Sequence, residues 1–477
     1  MSVKKLERLL GYLKLDNEEY PFEFVEEDFC VVLYPSTKEK WSELSSPITF
    51  FENLNKRWNR GDHKWIKSFR VEGVTSEHYN IVFSVKDSPS NYHGFLSYEV
   101  DWYYYYRDSF GLDNIAGFRV SGTEVDYFYP PQVALKNDVR FGDDRSISKM
   151  LVSTTDEETE KSCGKYSIRR GLQAEIKINA FATIHYNTAV NPIDAKSYLY
   201  FLLSHPTGID DIILAYYHTR CFLKYVSYRN NLVIDGIETF YLDENGKRDF
   251  AGALVFPSKH EGESDKKASE RILSYYIFTN KTSNIFKYIK NGKFGYAHIC
   301  DSIESRRHYP SARMIMILAE FEREFRDIYG QDYGRSDLYI DTKQAIVDLI
   351  EEYRKDHSGD AKKYAGSIKK TVQNLDNSYA QNVEYAIEDC EAIMEPFIKA
   401  NYGQDLKTVV RDLSGRVGEI RNGIAHSKMN FELDAIHLAD IKIIEELNYA
   451  IRLKKAGVPD NNIRKGINAL FKENIAL

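Results

Sequence analysis

Leu406-Lys-Thr-Val-Val-Arg-Asp-Leu-Ser-Gly-Arg-Val-Gly-Glu-Ile-Arg-Asn-Gly-Ile-Ala-His426 places apolar residues at 406, 409, 410, 413, 417, 420 and 424. Steps of three and four residues put these side chains on one stripe of an α-helix, and such a stripe needs a core to bury against. Arg411, Arg416, Arg421, Asn422 and His426 fall off the stripe. At ~100° per residue, Asn422 and His426 are one turn apart and ~40° around the axis, while Arg421 is ~140° from His426. Gly415, Gly418 and Gly423 weaken the helix and permit close packing or a bend near its end.

The same periodicity surrounds this segment. Residues 283–290, 311–329, 341–353, 363–376, 382–400 and 433–456 all read as helices, with Tyr402-Gly403 and Gly457-Val-Pro459 as stops. Ahead of them the pattern is different. Residues 22–34, 65–74, 79–85, 94–106, 117–129, 172–184, 212–217, 221–228 and 233–242 are rich in aromatic and β-branched residues and read as strands. Asn245-Gly246 is a hairpin signal, and 193–204, ahead of His205-Pro206, reads as a helix interrupting the strands. Strands at short spacing suggest a sandwich or barrel. The expected fold class is therefore α+β and multidomain, with a β-rich domain over 1–285 and an all-helical bundle over 286–477.

Composition limits the function classes. The chain has 477 residues, 43% of them hydrophobic, and a net charge of −7, which suits a folded protein of two or three domains. Residues 301–477 sum to −4 and residues 1–300 to −3, so neither half is a basic module and any polyanion site is local. No apolar run approaches the ~20 residues of a spanning helix. Met1-Ser-Val-Lys-Lys-Leu-Glu-Arg has no export signal, so a cytoplasmic protein with no membrane partner is expected. Cys30, Cys163, Cys221, Cys300 and Cys390 are widely spaced, which suggests buried thiols and no metal cage; no metal or cofactor is expected.

Arg421-Asn422-Gly-Ile-Ala-His426 resembles the signature of the HEPN ribonuclease superfamily, an Arg followed at four to six residues by a His, often with Asn after the Arg. Ser311-Ala-Arg-Met-Ile-Met-Ile-Leu-Ala-Glu-Phe-Glu-Arg-Glu-Phe325 looks like the early helix of the ApeA-like HEPN branch. A large β-rich domain ahead of a helical one is similar to the ApeA layout of bacterial anti-phage, abortive-infection proteins. The resemblance covers the whole chain in layout and the last third in specific residues. An Arg–His spacing alone is common, and Arg57-Trp-Asn-Arg-Gly-Asp-His63 is a second match, in surroundings that favour a turn. Asn422 and the position late on an amphipathic helix make the 421–426 match the specific one.

The resemblance implies an endoribonuclease that uses the RNA's own nucleophile. A base removes the 2′-OH proton, that oxygen attacks the adjacent phosphorus, and the 5′-oxygen leaves, giving a 2′,3′-cyclic phosphate without a metal. His426, with an ordinary pKa near ~6.5, can take the proton or protonate the leaving oxygen. Arg421 offers planar donors to the phosphorane as its charge grows. Asn422 is placed to orient the imidazole or to contact phosphate. One copy supplies one His, so a homodimer through the HEPN domain, with a composite cleft, is expected. The resemblance further implies cellular RNA as substrate, with tRNA favoured, and a β-rich domain that gates the nuclease in response to a phage-derived trigger.

Further candidates follow from local charge. Residues 406–428 sum to +3 and residues 451–472 to +5. Arg411, Arg416 and Lys428 are candidate RNA contacts, the plainer account being cations that favour helix C-termini. Glu322 occupies the place of an acidic residue often found on the early HEPN helix. In the β half, Asp156 with Glu175-Ile-Lys177 loosely matches metal-dependent nucleases, but Gln173-Ala-Glu-Ile-Lys-Ile-Asn-Ala180 alternates as an ordinary half-buried strand does. Trp102-Tyr-Tyr-Tyr-Tyr106 reads as a strand packed on both faces rather than a base-stacking platform. The alternative to a ribonuclease is a non-catalytic HEPN module that senses a phage component and recruits a partner.

Overall fold

The computed structural model describes residues 8–15, 18–34, 68–87, 90–92, 95–107, 112–141, 147–155, 158–185, 193–257, 265–330, 333, 336–373, 378–425 and 434–476. His426, Lys428, the Arg57–His63 match and Asp156 lie outside the described residues. The chain forms two compact units: Met1–Leu223 with Asn231–Gly262, and Lys224–Asn230 with Glu263–Leu477. The sequence reading put the division at 285.

The first unit is β-rich. Its strands are β1 (Arg8–Leu15), β2 (Glu18–Val25), β3 (Cys30–Leu33), β4 (Ser68–Thr75), β5 (Asn80–Lys86), β6 (Ser90–Tyr92), β7 (Phe95–Tyr106) and β8 (Ile115–Ser121). After these come β9 (Leu135–Phe141), β10 (Ile147–Thr154), β11 (Lys161–Arg169), β12 (Leu172–Ile184), β13 (Ile193–Thr207), β14 (Gly236–Leu242) and β15 (Arg248–Val255). Among the described residues the main sheet runs β11-β12-β13-β8-β14-β15-β7-β3-β2-β1-β4-β5, and β5 pairs back onto β7. That last pairing closes β7-β3-β2-β1-β4-β5 into a barrel-like circuit, which removes the edges those strands would otherwise expose. Phe22, Phe24, Val31, Phe83 and Tyr103 fill one buried cluster in this unit. The tyrosine run lies on β7, where Tyr103 and Tyr104 are fully buried, so it is core rather than a stacking platform.

Three sequence readings of this unit are corrected. Residues 193–204, read as a helix, form β13, which pairs with β12 on one side and β8 on the other. A strand buried on both faces loses its alternation and reads as a continuous apolar run. Pro206 sits in the irregular stretch between the pairs Leu202↔Gly117 and Thr207↔Ile115, where a missing N–H is tolerated. Residues 212–217 and 221–228, read as strands, belong to a helix; with α1 (Thr123–Phe128) before it, this is α2 (Ile209–Ser227). Its buried Ile209, Ile212, Ala215, Tyr216, Thr219 and Phe222 recur at helical steps; their β-branched and aromatic character obscured the period. The strand read over 117–129 stops at Ser121, because Gly122 turns with φ 142° and α1 follows. A Cβ there would lie 2.6 Å from the Val233 carbonyl oxygen. The Asn245-Gly246 hairpin is present between β14 and β15, with Gly246 at φ 73°.

The second unit is helical. It holds α3 (Asp265–Ser269), α4 (Tyr275–Phe278), α5 (Thr282–Lys290), α6 (Ser311–Tyr329), α7 (Asp337–Asp356), α8 (Gly359–Gln373) and α9 (Tyr379–Asp389). It ends with α10 (Glu391–Tyr402), α11 (Leu406–Ala425), α12 (Ala435–Lys455) and α13 (Asp460–Phe471). No helix of the described residues is long and apolar enough to cross a membrane. α12 is the central rod, buried at Ile441, Ile443, Ile444, Leu447, Ala450 and Ile451. Its Glu445 accepts from Tyr228, from Tyr309 at 2.8 Å and from Arg313 at 2.7 Å. Four cysteines are buried and Cys221 partly so, with no disulfide among the described residues.

His298 in this unit is 6% exposed, and its Nδ1 has no hydrogen-bond partner among the described residues. Burial, with the Arg323 and Arg313 charges adding to it, pulls its pKa from 6.5 to about 3. The folded state therefore holds the ring neutral while the unfolded chain protonates it below pH 6.5. Stability from this group is complete above that pH and is lost as pH falls toward 3. The expected loss between pH 7 and pH 5 is about 2 kcal/mol. Urea unfolding of wild type and His298→Gln at both pH values checks this; equal losses in the two proteins would count against it.

Candidate functional site

α11 forms because its apolar stripe has a core to meet. Leu406, Val409, Val410, Leu413, Val417 and Ile420 are buried, which leaves Arg421 and Asn422 on the outer side of the last turn. α6 supplies the opposing wall through Glu322, Phe325 and Arg326. The start of α9 supplies a third, where Ser378 and Gln381 cap the helix reciprocally. Tyr379 donates to the Leu318 carbonyl at 3.1 Å and meets Phe321 edge-on at 5.5 Å, tying α9 to α6. Gly418 brings α11 against Ala380, where a Cβ would find ordinary contact at 3.5 Å. Between these elements lies an open cleft of about 680 Å³.

Within the cleft, charge converges on Glu322. Arg326 Nη2 donates to its Oε1 at 2.7 Å, and Arg421 Nη2 lies 3.6 Å from its Oε2. Arg421 Nη1 also reaches the Asn422 side-chain oxygen at 3.4 Å. The Arg421 side chain is 41% exposed, so its guanidinium is open to a ligand. Burial pushes the Tyr379 phenol well above its ordinary pKa; the Glu322 charge adds to this and the Arg421 charge opposes it. Two guanidiniums facing one carboxylate present the donor set that also suits a phosphate.

The structure thus brings Arg421, Asn422 and Glu322 together, and adds Arg326 and Tyr379, which sequence reasoning missed. Arg326 was legible in principle, because Glu322 and Arg326 are four residues apart and share a helix face. Arg411 is exposed and ten residues back from Arg421, ~15 Å along the axis, away from the cleft lining. Arg416, expected as an RNA contact, is instead clamped on Asp440 of α12. Its Nε and Nη2 each donate to that carboxylate at 2.8 Å, and the Tyr402 hydroxyl donates to it at 2.6 Å.

Asp440 is fully buried, so removing its partner strands a charge. Arg416→Ala is expected to cost about 3 kcal/mol of stability. Thermal unfolding of the variant beside wild type checks this, and filter binding of RNA to the folded fraction should show no change caused by the substitution. A stable Arg416→Ala protein with weakened RNA binding would make this residue a ligand contact instead.

Several cations of the basic clusters are engaged in ion pairs. Lys407 pairs with Glu391 at 3.5 Å, and Lys454 pairs with Asp389 at 3.0 Å. Lys472 pairs with Glu270 at 2.5 Å, and Arg452 is buried between Glu324 and Asp327. In the β-rich unit, Lys177 is held by Glu160 at 2.6 Å and Glu175 faces Lys165 at 4.0 Å, as on a strand whose polar side faces solvent. Among the described residues no group of three His, Cys, Asp or Glu side chains is arranged to hold a metal ion. Compared with family models, with curated proteins and with solved structures, the chain matches none.

Proposed function

We propose that this chain is a metal-independent endoribonuclease of the HEPN type, acting on cellular RNA, tRNA foremost, in anti-phage defence. The observation that carries the reading is Arg421: half-exposed on the rim of an open cleft, beside Asn422, with Arg326 across from it and His426 five positions on. A motif serving only to finish a helix would not need a second guanidinium brought to the same place by another helix.

In this reading the scissile phosphate takes the position now served by the Glu322 carboxylate between Arg326 and Arg421. Arg421 stabilises the equatorial oxygens as phosphorane charge develops. His426 of one copy removes the 2′-OH proton, and His426 of a second protonates the departing 5′-oxygen. Asn422 orients one of these groups. The β-rich unit restrains the nuclease until a phage component is sensed.

The experiment is incubation of the purified full-length protein with total tRNA in EDTA, alone and with lysate of phage-infected cells. Cleavage that persists in EDTA and vanishes in both Arg421→Ala and His426→Ala supports the ribonuclease. RNA or phage-protein binding without cleavage in every condition supports the non-catalytic module.

A further inference from the structure

α7 and α8 pack on each other and bury little: among the described residues only Val347 of α7 and Ala365 of α8 are fully covered. Each helix carries an exposed apolar stripe. On α7, Leu338, Ile346, Leu349 and Tyr353 fall within ~80° of one another, with Val347 on the opposite side. On α8, Tyr364 and Ile368 are one turn apart. Leu338 is 76% exposed, Leu349 and Tyr364 are each 65% exposed, and the other three are about half exposed. At roughly 200 Å² per large side chain, these six expose on the order of 700 Å². That approaches the ~800 Å² that each partner contributes to a standard interface.

Charge identifies the occupant. α7 carries six acidic residues against three basic ones, and α8 carries four lysines against one aspartate. The two helices are therefore opposite in sign, and they already use this once, where Glu351 of α7 receives Lys369 of α8 at 2.7 Å. A surface holding both halves of a complementary pair is satisfied by its own copy across a twofold axis, with α7 of each chain beside α8 of the other. A basic or an acidic foreign partner would match only one helix.

We infer that the α7–α8 hairpin is the surface through which two copies of this chain associate, as a four-helix arrangement closed over Leu338, Leu349, Tyr353, Tyr364 and Ile368. The inference does not rest on the ribonuclease reading: no described residue of α7 or α8 lines the cleft, so this contact between copies is separate from the composite cleft proposed above.

The test is sedimentation of the full-length chain across micromolar concentrations. Wild type is expected to dimerise. Leu349→Asp and Tyr364→Asp should each weaken association about tenfold or more with helix content unchanged, since both side chains face solvent in the single chain. A second pair of variants keeps the test independent of folding: Asp341→Lys with Asp348→Lys makes the hairpin basic throughout, and Lys363→Glu with Lys370→Glu makes it acidic. Each should self-associate less than wild type, and their equimolar mixture should associate more tightly than either alone. A monomeric wild type, a dimer indifferent to Leu349→Asp, or a mixture no tighter than its components overturns the proposal. So does a monomer that captures a foreign protein through this hairpin.

Discussion

Arg421→Ala is expected to lower RNA cleavage by about 10²–10³-fold, the usual consequence of losing one donor aimed at developing transition-state charge. His426→Ala should lose at least as much, because it removes the proton carrier. Arg421→Lys keeps the charge and loses the planar fork, so it should recover only part of the rate. Neither Arg421 change is expected to move the unfolding temperature much. Arg421 is partly exposed and its ion pair with Glu322 is long, and such pairs are worth ~0–1 kcal/mol. Single-turnover cleavage of a defined tRNA, read beside a thermal melt of each variant, separates the two quantities. An Arg421→Ala protein that melts normally and cleaves at the wild-type rate would remove the residue from the chemistry.

The largest effect on the fold is expected at Arg452. Its guanidinium is 1% exposed and pairs with Glu324, with Asp327 at 3.0 Å and with the Lys293 carbonyl at 3.2 Å. Tyr288 and Phe294 flank it at 4.7 and 5.2 Å. Burial already raises the pKa of Glu324 and of its neighbour Glu320, with Arg452 opposing the shift at Glu324. Arg452→Ala takes the nearest cation from the buried Glu324, which among the described residues keeps only Arg323 at 3.5 Å, at an expected cost of about 3–5 kcal/mol. For a unit of this size the melting temperature should fall on the order of 10 °C. Arg452→Met with Glu324→Gln removes both charges and should recover much of the loss. Differential scanning calorimetry of the three proteins checks the order; a double variant no better than Arg452→Ala would place the cost in lost packing rather than in stranded charge.

What the sequence discloses follows the strength of its periodicities. α6 and α11 are readable to within a residue, because their apolar stripes are narrow and their other faces polar. Residues 382–400 read as one helix since the period runs on past Cys390, yet the chain breaks there with φ −101° and ψ 19° and restarts as α10. α13 escapes notice because Gly457-Val-Pro459 reads as a terminus, whereas Pro459 is the cap of the next helix. β13 and α2 are exchanged for one another for different reasons: β13 is buried over the consecutive residues 197–201 and loses its alternation, while β-branched and aromatic residues hide the helical period of α2. In the cleft, Arg421 and Asn422 are legible as a linear motif and Glu322 as a residue on an early helix. Arg326 follows Glu322 by one helical turn and could have been read with it, whereas Tyr379 joins them only through the packing of α9 on α6. Arg416 and the tail cations look like free positive charge in a linear count, since the carboxylates that bind them lie 24 to 202 positions away along the chain.

The most direct measurement is the chemistry of the cut ends. RNA cleaved by the full-length protein, or recovered from triggered cells, is sequenced with and without end repair to type each terminus. Attack by the neighbouring 2′-oxygen leaves a 2′,3′-cyclic phosphate on one fragment and a 5′-hydroxyl on the other, and both should disappear in His426→Ala. Fragments that instead carry a 3′-hydroxyl and a 5′-phosphate would mean that water, not the ribose, was the nucleophile, and would contradict the roles given to Arg421 and His426.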